Sequence, residues 1–132
     1  MKLSIVATLY HSAKHIHEFH QRASAAARQL VGGDYEIVLV NDGSPDNSLE
    51  LAVQLSESDS HVKVVDLSRN FGHHKAMRAG LEHAEGERIF LIDSDLEEEP
   101  EWLISFAEQM ATDDSDVVYG VQGERKGGWF ER

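Results

Sequence analysis

A chain of 132 residues, 41% of them hydrophobic, is one domain by length and can bury a single respectable core. Its 24 acidic residues against 12 basic ones give a net charge of -12, so the basic footprint of a nucleic-acid-binding surface is missing. With no cysteine there is no disulfide or thiolate chemistry, and the opening MKLSIVATLY is too short in its apolar run for a signal peptide and too mixed for a membrane span, which predicts a soluble, cytoplasmic chain.

Leu3 to Leu9 reads as a central strand buried on both faces, ended by Tyr10, His11 and Ser12. The spacing of Ile16, Phe19, Ala23, Ala26, Ala27 and Leu30 predicts a helix from Ala13 to Leu30, stopped by Gly32-Gly33. Its polar face carries His11 with His15 and His17 with His20 at spacings that permit metal ligation. With no cysteine beside them, they read as a solvated face.

Tyr35 to Val40 is the second strand, and it runs into Asn41-Asp42-Gly43-Ser44-Pro45-Asp46. Gly43 suits a tight turn, Ser44 can cap and Pro45 suits the first position of a helix through Leu49, Ala52, Val53 and Leu55. That explains Gly, Ser and Pro but not Asn41 and Asp42, a polar pair at the carboxyl end of a buried strand, where open α/β sheets bind ligands. Val62 to Leu67 is the third strand, followed by Ser68-Arg69-Asn70-Phe71-Gly72 and a helix from His73 to Ala84 with Gly86 as its stop. Gly80 inside that helix costs roughly 1 kcal/mol against alanine, so close packing is the simplest reason to find it. Arg69, Lys75 and Arg78 form a positive cluster that also fits a solvated face.

The fourth strand, Arg88 to Ile92, leads into Asp93-Ser94-Asp95. If the extended chain continues, both carboxylates project to one side, and two such oxygens can hold magnesium or manganese with positions left for phosphate oxygens. Glu97, Glu98 and Glu99 read instead as charges at the start of a helix from Pro100 to Ala111, whose Trp102, Leu103, Phe106 and Met110 face the core. Val117 to Val121 is a fifth strand, and GERKGGWFER reads either as a frayed terminus or as a basic, aromatic segment facing phosphates and an anionic membrane surface. Strands alternating with helices predict a three-layer α/β/α domain around a mostly parallel sheet over residues 1–122, with a tail over 123–132.

Taken in order, Asn41-Asp42-Gly43-Ser44-Pro45-Asp46, Ser68-Arg69-Asn70-Phe71-Gly72 with Ala79-Gly80, and Asp93-Ser94-Asp95-Leu96 before Pro100 resemble family 2 glycosyltransferases of the GT-A fold. They look most like the branch that transfers sugars to polyprenyl phosphates (dolichol or undecaprenyl phosphate), as does Val118-Tyr119-Gly120-Val121-Gln122 followed by Arg125. The resemblance covers nearly the whole chain and implies that residues 1–122 are the Rossmann-like, nucleotide-sugar-binding half of a GT-A fold, with a role for each matching position. Thr8 and Tyr10 would line a nucleotide pocket, and Asp42 would bind the base or ribose. Asp93 and Asp95 would form the metal and diphosphate motif, with Asp95 the metal ligand. Arg69 would approach the donor phosphates and Arg125 the donor or acceptor phosphate. Where many relatives read Pro-x-Tyr-Asn-Glu this chain has Thr8-Leu9-Tyr10-His11-Ser12, and Glu98-Glu99-Pro100 replaces a more usual Asp-Pro-Pro.

The function so implied is inverting transfer of a sugar from a UDP- or GDP-linked donor, with Mg2+ or Mn2+, to a polyprenyl phosphate lipid or a glycan. Relatives continue into an acceptor-binding half, so the chain is expected to be the donor-binding portion of a longer protein, peripheral at the cytoplasmic membrane face, binding nucleotide but turning over poorly by itself. A lipid phosphate, with its second pKa near 6, is mostly dianionic at neutral pH and needs no protein base, in keeping with the absence of an obvious one. The alternatives are a non-catalytic nucleotide-binding or interaction module and a magnesium-binding receiver-like signalling domain. The last wants an acidic pair where this chain has Tyr10-His11-Ser12.

Overall fold

The computed structural model describes residues 2–67, 69–93 and 99–105, with Ser68 left out and Asp93 given by backbone alone, together with the backbone of 117–120 and 127–131. Strands and helices alternate as β1 (Leu3–Leu9), α1 (Ile16–Val31), β2 (Tyr35–Asp42), α2 (Ser48–Ser58), β3 (Val62–Leu67), α3 (His73–His83) and β4 (Arg88–Asp93), followed by β5 (Val117–Gly120) and β6 (Gly127–Glu131). They build one six-stranded sheet in the order β3-β2-β1-β4-β6-β5. The first four strands are parallel neighbours, whereas β6 lies antiparallel to both β4 and β5.

Every residue of β1 and of β2 is buried, as the continuous apolar runs require of strands covered on both faces. Alternation along the strands sorts them into two cores. Leu3, Ile5, Ala7 and Leu9 of β1 pack with Ile37 and Leu39 of β2 beneath Ile16, Phe19 and Ala23 of α1 and Ala52 and Leu55 of α2. On the other face Val6, Val38 and Val40 meet Ala76 and Met77 of α3. Helices therefore cover both faces. Crossovers of a single hand bring this about, since β1 to β3 step one way across the sheet and the connection through α3 returns to the far side of β1. The order 3-2-1-4 also rules out a receiver-like domain, whose sheet runs 2-1-3-4-5.

Gly80 does what its presence in a helix suggested. A Cβ there would run into Val6 Cγ1 and stand 3.0 Å from Val40 Cγ2, so α3 lies directly on the sheet. Gly32 ends α1 as expected, with φ 65. Other boundaries differ, each for a local reason. Helix α1 starts at Ile16 rather than Ala13, because residues 13–15 form a turn in which Ser12 O accepts from the N–H groups of His15 (3.0 Å) and Ile16 (3.1 Å). Gly86 does not stop α3, which ends at His83 with Ala84 as its cap. Gly86 instead lies against β1, where a Cβ would sit 2.6 Å from Ser4 N. Pro45 does not open α2, which begins at Ser48.

The largest departure is at the carboxyl end. The stretch read as a tail contains β6, which pairs with β4 in the register Ile89 to Phe130 and Phe90 to Trp129 and separates β4 from β5. The helix expected from Pro100 to Ala111 is described only at residues 102–105, while Phe106 and Met110 lie outside the described residues.

Candidate functional site

The sheet reverses its winding between β1 and β4, and at such a point the loops leaving the carboxyl ends of the strands part and open a crevice. Thr8 of β1 and Asp93 of β4 are register partners on either side of it. Thr8 is 7% exposed, and Tyr10, next to leave the sheet, is 47% exposed. Asp42 closes β2 one strand away, 4% exposed. Alternation puts Thr8, Val40 and Asp42 on the α3 side of the sheet.

Asp42 receives a hydrogen bond from Phe71 N–H at Oδ1 (2.8 Å) and takes none from the described residues at Oδ2. That bond draws the loop after β3 over the end of β2. Gly43 makes the approach possible: it takes φ 65, and a Cβ would collide with the backbone of Arg69 and Asn70. On the same loop the Arg69 guanidinium lies 4.7 Å from the centroid of the Phe71 ring, a cation–π contact, and both side chains are exposed. Asn41, the other half of the polar pair, is spent on structure. Its Nδ2 donates to Asp66 Oδ1 (3.0 Å) and its Oδ1 accepts from Ser44 N–H (3.3 Å).

Sequence reasoning gave Asp46 no role, and the structure makes it a junction. Its Oδ1 accepts from the Ser44 hydroxyl (2.5 Å), the Ser48 hydroxyl (2.6 Å) and Ser48 N–H (3.0 Å), and its Oδ2 accepts from Ala13 N–H (3.2 Å). Partial burial pushes this carboxyl up, but the hydrogen bonds outweigh it and hold the pKa at about 2. The side chain therefore does from outside what Ser44 was expected to do as a cap, and α2 has no side-chain cap from its own Asn47.

Arg22 of α1 holds Glu101 through Nη2 to Oε1 (2.5 Å) and Nε to Oε2 (2.9 Å). Asp93 is placed by its backbone, and Asp95 and Arg125 lie outside the described residues, as do Glu97 and Glu98. Thr8, Tyr10 and Asp42 are thus brought to one edge of the sheet, with Arg69 on the loop beside them. Of the histidines read onto the first helix, His11 lies beside Tyr10 on the loop after β1, whereas His20 does not come to this edge. His20 pairs with Asp59 (2.7 Å), which also meets His61 Nδ1 (2.9 Å), and His61 stacks on Tyr35 near the start of β2. Among the described residues no three His, Asp or Glu side chains are grouped to hold a metal ion.

The description Glycosyl transferase family 2 matches residues 4–132. The chain belongs to this glycosyltransferase family. A Mycobacterium tuberculosis protein that bears the name "Putative glycosyltransferases" is 54% identical over 130 residues, which are 98% of this chain and 38% of that protein. The uncharacterized glycosyltransferase YkcC of Bacillus subtilis is 40% identical over 98% of this chain and 40% of its own length. The chain thus spans about two-fifths of these relatives. Among solved structures, S. aureus TarS 1-349 in complex with UDP-GlcNAc is 30% identical with a TM-score of 0.69, covering 95% of this chain and 36% of that one. The mannosyltransferase PcManGT from Pyrobaculum calidifontis, in complex with GDP-Man and Mn2+, shares the fold at a TM-score of 0.80 and 17% identity, over 99% of this chain and 44% of that one. This family member carries the GT-A architecture expected from its motifs, and no helix among its described residues is long and apolar enough to cross a membrane.

Proposed function

We propose that the chain forms the donor-binding portion of an inverting, metal-dependent glycosyltransferase, and that the crevice between β1 and β4 holds a nucleoside diphosphate sugar. The observation that carries this reading is Asp42: a buried carboxylate fixed by Phe71 N–H through one oxygen, its other oxygen free of the described residues, at the sheet edge where α/β folds bind ligands. That second oxygen can accept from the imide of uracil, from guanine or from a ribose hydroxyl. Thr8 and Tyr10 line the same edge. Arg69, on the loop that Asp42 holds, supplies positive charge toward the diphosphate, while Arg125 acts at the donor or acceptor phosphate.

A divalent metal fits this edge. Asp93 ends β4 in register with Thr8, and the hard carboxylate oxygens of Asp93 and Asp95 suit Mg2+ or Mn2+. Asp95 would hold the ion and Asp93 would assist. When bound, the metal supplies positive charge against the departing diphosphate. The UDP-GlcNAc complex of S. aureus TarS 1-349, 30% identical to this chain, supports a nucleotide-sugar donor. The acceptor we favour is a polyprenyl phosphate at the cytoplasmic membrane face, reached by a longer protein of which this chain is the donor half. A glycan acceptor is the second reading.

Two substitutions test the pocket. Asp42→Ala is expected to weaken UDP or GDP binding at least tenfold, since a buried charged hydrogen-bond partner is lost. Asp95→Ala is expected to abolish the manganese dependence of that binding while thermal unfolding stays within a few degrees of wild type. Unchanged affinity in Asp42→Ala would remove the pocket, and unchanged manganese dependence in Asp95→Ala would remove the metal assignment.

A further inference from the structure

Tyr10 hangs from a loop whose shape is imposed from elsewhere in the chain. The residue is 47% exposed, and the aromatic contact it makes is edge-on to His11 at 4.5 Å. His11 itself has φ 55, left-handed backbone that a residue with a Cβ adopts at a cost. What holds the loop is a run of four backbone N–H groups, each meeting a side-chain oxygen. Tyr10 donates to Ser12 Oγ (3.1 Å), His11 to Ser44 Oγ (2.8 Å), Ser12 to Ser48 Oγ (2.9 Å) and Ala13 to Asp46 Oδ2 (3.2 Å). Ser44 and Ser48 can accept in this direction because their own hydroxyl hydrogens point at Asp46 Oδ1. One carboxylate therefore orients both hydroxyls and binds the fourth amide itself.

We infer that Asp46 is a positioning residue for the nucleotide pocket: through Ser44 and Ser48 it fixes the Tyr10–Ala13 backbone and so sets where Tyr10 meets the donor. The inference rests on the donor-pocket reading above. Charge matters as well as shape. A carboxylate only accepts, and all four groups around Asp46 are donors, whereas an amide in its place must turn an N–H toward one of them. Either that N–H opposes Ala13 N–H and pushes the side chain off its Ser44 and Ser48 partners, or it turns toward the two hydroxyls and reverses them; both cost His11 the oriented oxygen that keeps it left-handed.

The test is Asp46→Asn, made in the wild-type chain and in Tyr10→Ala, with UDP and GDP titrated in the presence of Mn2+ and amide hydrogen exchange followed by NMR. Exchange at His11, Ser12 and Ala13 is expected to accelerate about tenfold or more, as each N–H loses an ordered acceptor. Nucleotide affinity is expected to fall about tenfold in the wild-type background and less than about twofold when Tyr10 is already alanine, because the two changes act on one contact. Ser44→Ala should reproduce the exchange effect at His11, and Ser44→Thr, which restores a hydroxyl, should reverse it. This pair carries the same comparison if Asp46→Asn fails to fold. Equal losses of affinity in both backgrounds would mean a general structural role and overturn the inference, as would wild-type affinity in Asp46→Asn while Tyr10→Ala binds weakly. If the wild-type chain binds neither nucleotide, the pocket reading falls first and takes this inference with it.

Discussion

At the scale of single residues, two glycines decide how closely the loops and layers approach. Gly43 stands where a Cβ would overlap the backbone of Arg69 and Asn70, at a φ of 65 that disfavours any other residue. Gly43→Ala is therefore expected to push the 69–72 loop off the end of β2, break the Phe71 to Asp42 hydrogen bond and weaken nucleotide binding more than it lowers the melting temperature. Titration beside a thermal melt separates the two. Gly80 acts through packing alone. Alanine there gains roughly 1 kcal/mol of helix propensity, but its methyl group must displace Val6 and Val40, and overpacking of this kind costs about 1–3 kcal/mol. Gly80→Ala is expected to be net destabilising in chemical denaturation, and a stabilised variant would show that α3 can lift from the sheet freely.

At the scale of elements, the chain shows which parts of a fold are local. The β1 to β4 strands and their helices were legible because apolar runs, helical spacing and, for α1, the glycine at its end act within a few residues. Asp42 was legible too, as a polar group where a buried strand ends. Asp46 was not, because its donors include Ala13, which lies 33 positions away, and no local pattern announces that contact. Pro45 misled for the same reason: residues 43–47 satisfy the loop after β1 before α2 begins at Ser48. The strand β6 was hidden in GGWFE, two glycines and two aromatics beside charges, since its stability comes from pairing with β4 far upstream. Asp93 and Asp95 remain assigned by motif, with the backbone of Asp93 alone to place them.

At the scale of the whole molecule, a net charge of -12 coexists with a site proposed to take an anionic ligand. The acidity is partly structural. Burial raises Asp46 and Asp59, but hydrogen bonds outweigh it and hold both at about 2, below the usual 3.8, and Glu36 is lowered in the same way by Glu85 N–H, Ser4 and Lys63 despite the cost of burial. A folded pKa below the unfolded one means stability that is fully present above the unfolded value and lost as pH falls through the folded value. Asp46 and Asp59 should each contribute on the order of 1–2 kcal/mol at pH 7, lost between about pH 4 and pH 2. The melting temperature is expected to hold down to about pH 5 and then fall steeply, with Asp59→Asn flattening part of the slope. A profile with no fall between pH 4 and pH 2 would contradict the hydrogen-bonded state of these carboxylates.

The central claim is that the crevice between β1 and β4 takes a nucleoside diphosphate with a divalent metal. The most direct test is a calorimetric titration of the 132-residue chain with UDP and with GDP, each with manganese and again with a chelator. The account predicts binding of one of the two nucleotides at a single site, lost or at least tenfold weaker when the metal is removed. Binding that ignores the chelator would contradict the metal, and the absence of binding by either nucleotide would contradict the pocket itself.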